Sequence, residues 1–462
     1  MPYLDYAASA PLRPEALAAM LPLLERPAAN PSSQHGQGRA ARAAVETARE
    51  QVAALVGAAP GEVVFTSGGT EADNLAVKGT ILARPPEARH LVCSAVEHHA
   101  VLDAAAWAEA DAGARTDLAP VDRVGRVDPD RLAALLQPGR TALVAVMAAN
   151  NEVGTGQPVA AVAELAHAAG AVLLCDAVQA AGLPGVDMTA DGIDLLALAS
   201  HKLGGPTGVG ALVVRPGTSL RPLVHGGGQE RGLRSGTLPA AALAGFGAAA
   251  AAALADRHTG TTTTTLSTLR SHLLAGLRAL APDLEINGDP GPEPGRAFNP
   301  DGSGDPGLVG RVATDLDADG RRHPLTPAAG LPGLLSVRFP GRRAEDLLLL
   351  LDRHGVACSA GSACASGAVT PSHVLVAMGR EPVAARETVR FSLGHASTRA
   401  EVDAAVTAVG QALEVLTPDR RRSASVGRGE GSEDGRKTAP GRPGPGSPDP
   451  HRVAAARPGV GG

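Results

Sequence analysis

The sequence predicts an α/β fold: a large domain built on a mostly parallel central sheet, followed by a smaller α+β domain. Three observations carry that reading. From residue 40 to about 255, Ala-rich helical stretches alternate with short runs rich in Val and Leu, the pattern of a parallel sheet covered on both faces. Beyond residue 332 the order changes to strand, helix, small-residue loop, helix, strand and helix. The 462 residues, 44% of them apolar, are enough chain for two or three domains and an ordinary core.

In chain order, EVVFTS (62–67), HLVCSAV (90–96), TALVAVMAAN (141–150), AVLLCDA (171–177), DLLALAS (194–200) and VGALVV (209–214) read as strands. Between them AARAAVETAREQVAALVG (40–57), TEADNLAVKGTILA (70–83), VLDAAAWAEADAG (101–113) and VAAVAELAHAAG (159–170) read as helices. Ligands of such sheets sit at the carboxyl ends of the strands. A long Ala-rich helix (238–257) runs to a Thr run (261–265), and a further helix covers 266–280. Residues 288–332, dense in Gly, Pro and Asp, read as an inserted loop. Then come the strand LLSVRF (334–339), the helix AEDLLLLLDRHG (344–355), a small-residue loop (358–369), the helix PSHVLVAMG (371–379) and the strand TVRFSLG (388–394). The last helix starts with Thr398 and Glu401 in capping-box spacing and ends near Leu416. The resulting division is an N-terminal segment (1–14) packing with the small domain, a large domain (15–257), a small domain (258–416) and a disordered tail (417–462) rich in Pro, Gly, Ser and Arg.

Composition removes several classes of function. Aromatic residues are 2% of the chain, so base-stacking platforms are nearly absent, and with 42 basic against 47 acidic side chains the net charge is −5. Nucleic acid is not expected as a direct ligand. Four scattered cysteines, Cys93, Cys175, Cys358 and Cys364, form neither a CxxC pair nor a disulfide framework, which fits a reducing cytoplasm. Neither an export signal nor a membrane span is expected. Of the 42 basic positions only Lys78, Lys202 and Lys437 are lysine. Arginine can neither lose its proton nor form an imine, whereas a desolvated lysine amine can do both.

Four clusters carry chemistry. Ser67-Gly68-Gly69-Thr70-Glu71 follows a strand and opens a helix whose first N–H groups favour an anionic phosphate, although alone it reads as readily as a tight turn. Asp176 ends a strand, with Gln179 three residues on; a carboxylate there pairs with a protonated ring nitrogen or simply caps a helix. Ser200-His201-Lys202 follows another strand, and an amine among Ala, Leu and Gly is desolvated as an imine-forming nucleophile requires. Phosphate cup, ring-pairing acid and amine, in that order on an α/β sheet, are the parts that pyridoxal phosphate needs. The fourth cluster, CSAGSACASG (358–367), lacks any bulky side chain, which predicts a mobile loop that delivers a cysteine. Arg390, in VRFSLG, offers a fork for a carboxylate or is a structural arginine.

With those residues in place the chain resembles the cysteine desulfurases of the NifS/IscS type, in the fold-type I, class V aminotransferase superfamily. The likeness spans about residues 2–416 outside the 290–332 loop. It rests on YLDYAASAP (3–11), NPSSQHGQGRAAR (30–42), VFTSGGTEADNLAVKG (64–79), VEHHAVLD (96–103), ANNEVGTGQP (149–158), DAVQAAG (176–182), SHKLGGPTGVGAL (200–212), HGGGQERGLRSGT (225–237), CSAGSACASG (358–367) and VRFSLGH (389–395). The resemblance implies that Lys202 binds pyridoxal phosphate covalently and moves the Cα proton, that Asp176 pairs with the pyridine nitrogen, that Gln179 contacts the ring hydroxyl and that His98 stacks on the ring and assists proton transfer. It implies a phosphate held by Gly69, Thr70 and His201, with Thr237 reaching in from a partner subunit of a homodimer. Asn151 and Arg390 then hold the substrate carboxylate. Cys364 becomes the nucleophile that takes the sulfur of L-cysteine as a persulfide and leaves L-alanine. Ala199 stands where many relatives place a phosphate-binding serine, so Ser200 is included in the cofactor site. Cys358 is an extra thiol whose expected role is packing.

The implied function is a homodimeric, pyridoxal-phosphate-dependent cysteine desulfurase that passes sulfur to acceptor proteins, an iron–sulfur scaffold or a transfer-RNA thiolation enzyme. A selenocysteine or cysteine-sulfinate lyase on the same scaffold is the enzymatic alternative, and a non-catalytic binding homologue the other; no metal is expected.

Overall fold

A seven-stranded sheet organises the larger part of the protein, seen in a computed structural model that describes residues 1–25, 29–183, 185–289, 330–361 and 371–416. Its elements are, in chain order, α1 (Pro14–Leu24), α2 (Gly36–Leu55), β1 (Val63–Thr66), α3 (Gly69–Ala83), β2 (His90–Ser94), α4 (His99–Ala112), β3 (Arg115–Ala119), α5 (Pro129–Ala133), β4 (Thr141–Ala145), α6 (Val159–Ala168), β5 (Val172–Asp176), β6 (Leu195–Ala199), β7 (Gly210–Val214) and α7 (Ala240–Thr259). The strand order is β1-β7-β6-β5-β4-β2-β3. From β6 to β3 every pairing is parallel, as the strand–helix alternation predicts, while β7 runs antiparallel to both β6 and β1. The physical reason is the short connection between β6 and β7, which holds one turn of 3₁₀ helix (Ser200–Lys202) where a parallel crossover needs a dozen or more residues. Because β7 reverses against both neighbours, β1 and β6 point the same way, and six carboxyl ends meet at one edge.

The strand β3 was not legible in sequence. Its residues RTDLA carry no apolar run, because it is an edge strand, half-exposed and charged, as unpaired edges require. The scarcity of aromatics is met by close helix contact. A Cβ on Gly247 of α7 would lie 2.5 Å from the Cα of Ala48 in α2, so small residues let these two backbones approach.

The smaller sheet contains β8 (Glu285–Asn287), β9 (Leu334–Arg338), β10 (Ser359–Ala360) and β11 (Thr388–Ser392), in the antiparallel order β10-β11-β9-β8. It packs with α8 (Thr261–Leu280), α9 (Ala344–Arg353) and α12 (Arg399–Leu416), and α10 (His373–Ala377) and α11 (Pro382–Ala385) lead into β11. Leu266, Leu269, Leu273 and Leu277 form the buried stripe of α8. The Thr run that the sequence placed ahead of this helix is its first turn. The Thr264 hydroxyl donates to the carbonyl of Gly260 and Thr268 to that of Thr264, which lets β-branched residues sit in the helix. At α12 the expected capping box is present: Glu401 accepts from the Thr398 N–H at 2.9 Å and Thr398 Oγ1 from the Glu401 N–H at 3.3 Å.

The N-terminal segment joins this smaller sheet. Tyr3 bridges to Ala357 and Asp5 to Ser392, and Leu4 is fully buried in the core of α8, α9 and α12. Among the described residues no helix is long and apolar enough to cross a membrane. The tail, most of the 288–332 insertion and the loop that carries Cys364 lie outside the described residues.

Candidate active site

The edge where six strands end gathers residues far apart in sequence. After β1 the chain turns through Gly68 into α3, whose N-terminus no side chain caps. Gly69 and Thr70 therefore present backbone N–H groups that an anion can accept from. The turn is pressed against β7: a Cβ on Gly210 would lie 2.5 Å from the Leu198 carbonyl oxygen and 2.7 Å from the backbone of Gly68. Only glycine fits there, which is what brings the β1 loop next to the end of β6. Ala199 ends β6, and its Cβ is 3.6 Å from where a Cβ on Gly69 would stand.

The 3₁₀ turn after β6 places Ser200, His201 and Lys202. Ser200 is fully buried, and its Oγ, which a Cβ on Gly205 would strike, has no hydrogen-bond partner among the described residues. His201 Nδ1 lies 3.3 Å from Ser9 Oγ. Burial, reinforced by the Lys202 charge, pushes this imidazole down to about 4, so it is neutral at neutral pH. Lys202 Nζ donates to the main-chain carbonyls of Ala7 at 2.5 Å and Ala8 at 2.9 Å. Gln179 Nε2 donates to the same Ala7 carbonyl at 2.8 Å. The N-terminal segment thus crosses the mouth of the large sheet and ties two of the expected residues together.

Asp176 closes β5. Its buried carboxylate accepts from the Val178 N–H at 2.9 Å; burial raises its pKa, while that N–H and the charges of His98 and Lys202 pull it down. His98 caps α4, with Nδ1 accepting from the Ala100 N–H at 3.1 Å. Behind these residues stand two carboxyls that sequence reading missed. Asp73 of α3 is buried, and its Oδ1 has no partner among the described residues; burial and the nearby charges of Asp176 and Glu97 raise its pKa strongly. Glu97 is fully buried and accepts from Ser94 Oγ at 2.5 Å and the Met147 N–H at 2.9 Å; burial pushes it up to about 8. Burial thus keeps Glu97 protonated at neutral pH and favours the protonated form of Asp73, while on Asp176 burial is opposed by the charges of His98 and Lys202. Glu97 directly precedes His98 in an apolar setting, which is the one sequence signal for it.

From the smaller sheet comes Arg390, in the middle of β11 and 3% exposed. Its Nη1 donates to the Asn151 carbonyl at 2.9 Å and its Nη2 pairs with Asp5 Oδ1 at 3.0 Å. Next to Asn151, buried Glu152 accepts from Ser372 Oγ at 2.5 Å and is pushed up to about 7 by burial, against the bond from Ser372 and the Arg390 charge. Cys358 packs at the edge of the smaller core, and burial pushes its thiol up to about 12, which suits packing and not nucleophilic attack. Thr237, exposed between β7 and α7, makes no hydrogen bond to these residues among the described ones, and Cys364 lies outside them. Gly69, Thr70, His98, Asn151, Asp176, Gln179, Ser200, His201 and Lys202 all sit at the sheet edge or in the loops beside it, and Arg390 reaches them from the second sheet.

The donor set fits pyridoxal phosphate: an uncapped helix N-terminus for a phosphate, a buried carboxylate for a cationic ring nitrogen, and a lysine amine near enough to that carboxylate for its charge to act on it. No group of three or more His, Cys, Asp or Glu among the described residues has the arrangement of a metal site.

Comparison with known proteins places the whole chain. The family described as aminotransferase class-V matches residues 2–298 and 316–405. An "IscS-like cysteine desulfurase" of Mycobacterium tuberculosis (strain ATCC 25618 / H37Rv) is 41% identical over 410 residues, covering 88% of this chain and 94% of that protein. A "cysteine desulfurase" of Cereibacter sphaeroides is 42% identical over 426 residues, covering 92% and 97%. A solved structure titled "NifS-like protein" superposes with a TM-score of 0.75 at 31% identity, covering 90% of this chain and 99% of its own.

Proposed function

The chain belongs to the class-V aminotransferase family, and on that premise we propose how its own residues perform a cysteine desulfurase reaction, L-cysteine to L-alanine with the sulfur passed to an enzyme thiol. The cofactor is pyridoxal phosphate, which when bound supplies an electron sink for the bonds at the substrate Cα.

We assign its phosphate to Gly69, Thr70, Ser200 and His201, with Thr237 contributed by the partner subunit of a homodimer, its ring nitrogen to Asp176, its ring hydroxyl to Gln179 and its ring face to His98. The Val178 N–H and the charges of His98 and Lys202 favour the ionised form of Asp176 against its burial, and in that form it favours a protonated ring nitrogen. Lys202 anchors the cofactor, and its amine takes and returns the Cα proton. Asn151 and Arg390 orient the substrate carboxylate. The Cys364 thiolate attacks the substrate sulfur: the new S–S bond forms on Cys364, the C–S bond breaks, and protonation at carbon yields alanine. A persulfide on Cys364 then passes to an acceptor protein of iron–sulfur cluster assembly or transfer-RNA thiolation.

The observation that carries this reading is the convergence on Lys202 of Asp176, Gln179 and His201 from the ends of β5 and β6, with Ala7 bonded to both Lys202 and Gln179. It is tested by incubating the enzyme with L-cysteine, alkylating, and locating the persulfide by peptide mass. The expected site is Cys364. A persulfide on Cys358 alone overturns the thiol assignment, and full sulfide release by Cys364→Ala points instead to a lyase that needs no enzyme thiol.

A further inference from the structure

Arg390 is a buried cation with an anion already on it. Its strand lies between β9 and β10, in register with Ser336 and Ser359, and its guanidinium is buried. A charge at 3% exposure needs a counter-charge, and Asp5 provides it through the 3.0 Å contact. One further N–H, Nε, is buried with no hydrogen-bond partner among the described residues. The fork is therefore incompletely satisfied, with one donor unfilled.

Asp5 itself is held by main chain. Its carbonyl accepts from the N–H groups of Ala8 at 3.0 Å and Ser9 at 3.2 Å and from Tyr3 Oη at 3.3 Å, and the residue bridges to Ser392. The same turn carries Ala7 and Ala8, whose carbonyls hold Lys202. One short segment thus presents a carboxylate to the candidate substrate-binding arginine and two carbonyls to the candidate catalytic amine.

We infer that Asp5 is the resident counter-ion of Arg390, and that the α-carboxylate of an amino-acid substrate competes with it for the guanidinium, so that Asp5 sets how tightly the site takes carboxylates. The inference rests on the assignment of Arg390 to the substrate carboxylate. Asp5 is a positioning residue here, acting on substrate through Arg390. Its charge lowers affinity for free carboxylates and favours ligands that also engage the amine-binding part of the site.

The test is equilibrium binding of L-alanine and of L-alaninamide, which lacks the carboxylate, to the full-chain holoenzyme and to Asp5→Asn. Removing the competing charge is expected to tighten L-alanine by about tenfold, the scale of one charge-assisted hydrogen bond, and to leave L-alaninamide unchanged. The KM for cysteine falls in parallel while kcat holds. The unliganded variant melts lower, and L-alanine raises its melting temperature by more than it raises that of the unsubstituted protein. Asp5→Ala, which removes the amide as well, must shift L-alanine binding in the same direction. Unchanged or weaker L-alanine binding in both variants, or an equal gain for L-alaninamide, overturns the counter-ion role. Arg390→Gln separates the two levels: loss of L-alanine binding there with no change in Asp5→Asn removes only the role of Asp5, and retention there removes the assignment of Arg390 itself.

Discussion

The two sheets bring chemistry to one place by different routes. The large sheet offers Thr70, His98, Asp176 and Lys202 at or just past strand ends, where the backbone leaves the ladder and polar side chains face loops. The smaller sheet offers Arg390 from mid-strand, buried between two neighbours and paired with Asp5. Groups at strand ends are placed for chemistry at small cost to the core. A mid-strand cation is part of the core, so its chemistry and its stability are coupled.

That contrast makes the largest expected effect purely chemical. Lys202→Ala removes a strand-end amine, and cysteine turnover should drop by at least about a thousandfold, with loss of the visible absorbance of bound cofactor and little change in melting temperature relative to the cofactor-free unsubstituted protein. A large drop in melting temperature would erase the distinction between the sheets. Arg390→Gln should instead lose stability as well as substrate affinity, by about 3–5 kcal/mol in denaturant unfolding, because Asp5 is left without its partner. Gly210→Ala probes the join between the β1 and β6 ends. Its Cβ has no room beside the Leu198 carbonyl, so about 1–3 kcal/mol should be lost, with weaker cofactor retention measured by absorbance after dialysis.

The last test lies beneath the strand ends, in Glu97. Its folded-state pKa is raised from 4.5 to about 8, so between those values the folded protein binds a proton that the unfolded chain releases. The stability this contributes is fully present below pH 4.5 and is lost as pH rises through about 8. Melting temperature should therefore decline across that window, and Glu97→Gln should flatten the decline; an unaltered slope would mean that Glu97 is not the protonated group.

Much of this was legible in the sequence. Alternating Val- and Leu-rich runs with Ala-rich stretches reflect strands buried on both faces between helices, and β1, β2 and β4 to β7 lie where those runs stand. Lysine scarcity singled out Lys202; Lys78 stacks its ammonium 4.6 Å over the Trp107 ring, as a structural residue does. Edge strand β3 escaped because half-exposed strands lack an apolar signature, and the reversal of β7 escaped because strand direction depends on the length of a connection. The buried carboxyls Asp73, Glu97 and Glu152 escaped for a related reason: an acidic residue in sequence reads as solvated until its surroundings are known.

The sequence alone determined the periodicities, the order of elements and the kinds of side chain at strand ends, since these follow from local stereochemistry and residue type. Tertiary structure decided which of them meet. It laid residues 3–10 across the site, so that Ala7 holds Lys202 and Gln179 while Asp5 neutralises Arg390, contacts spanning up to 385 positions along the chain. It also decided which carboxyls keep their protons. Burial and proximity set both, and each is a property of three-dimensional packing that no local pattern encodes.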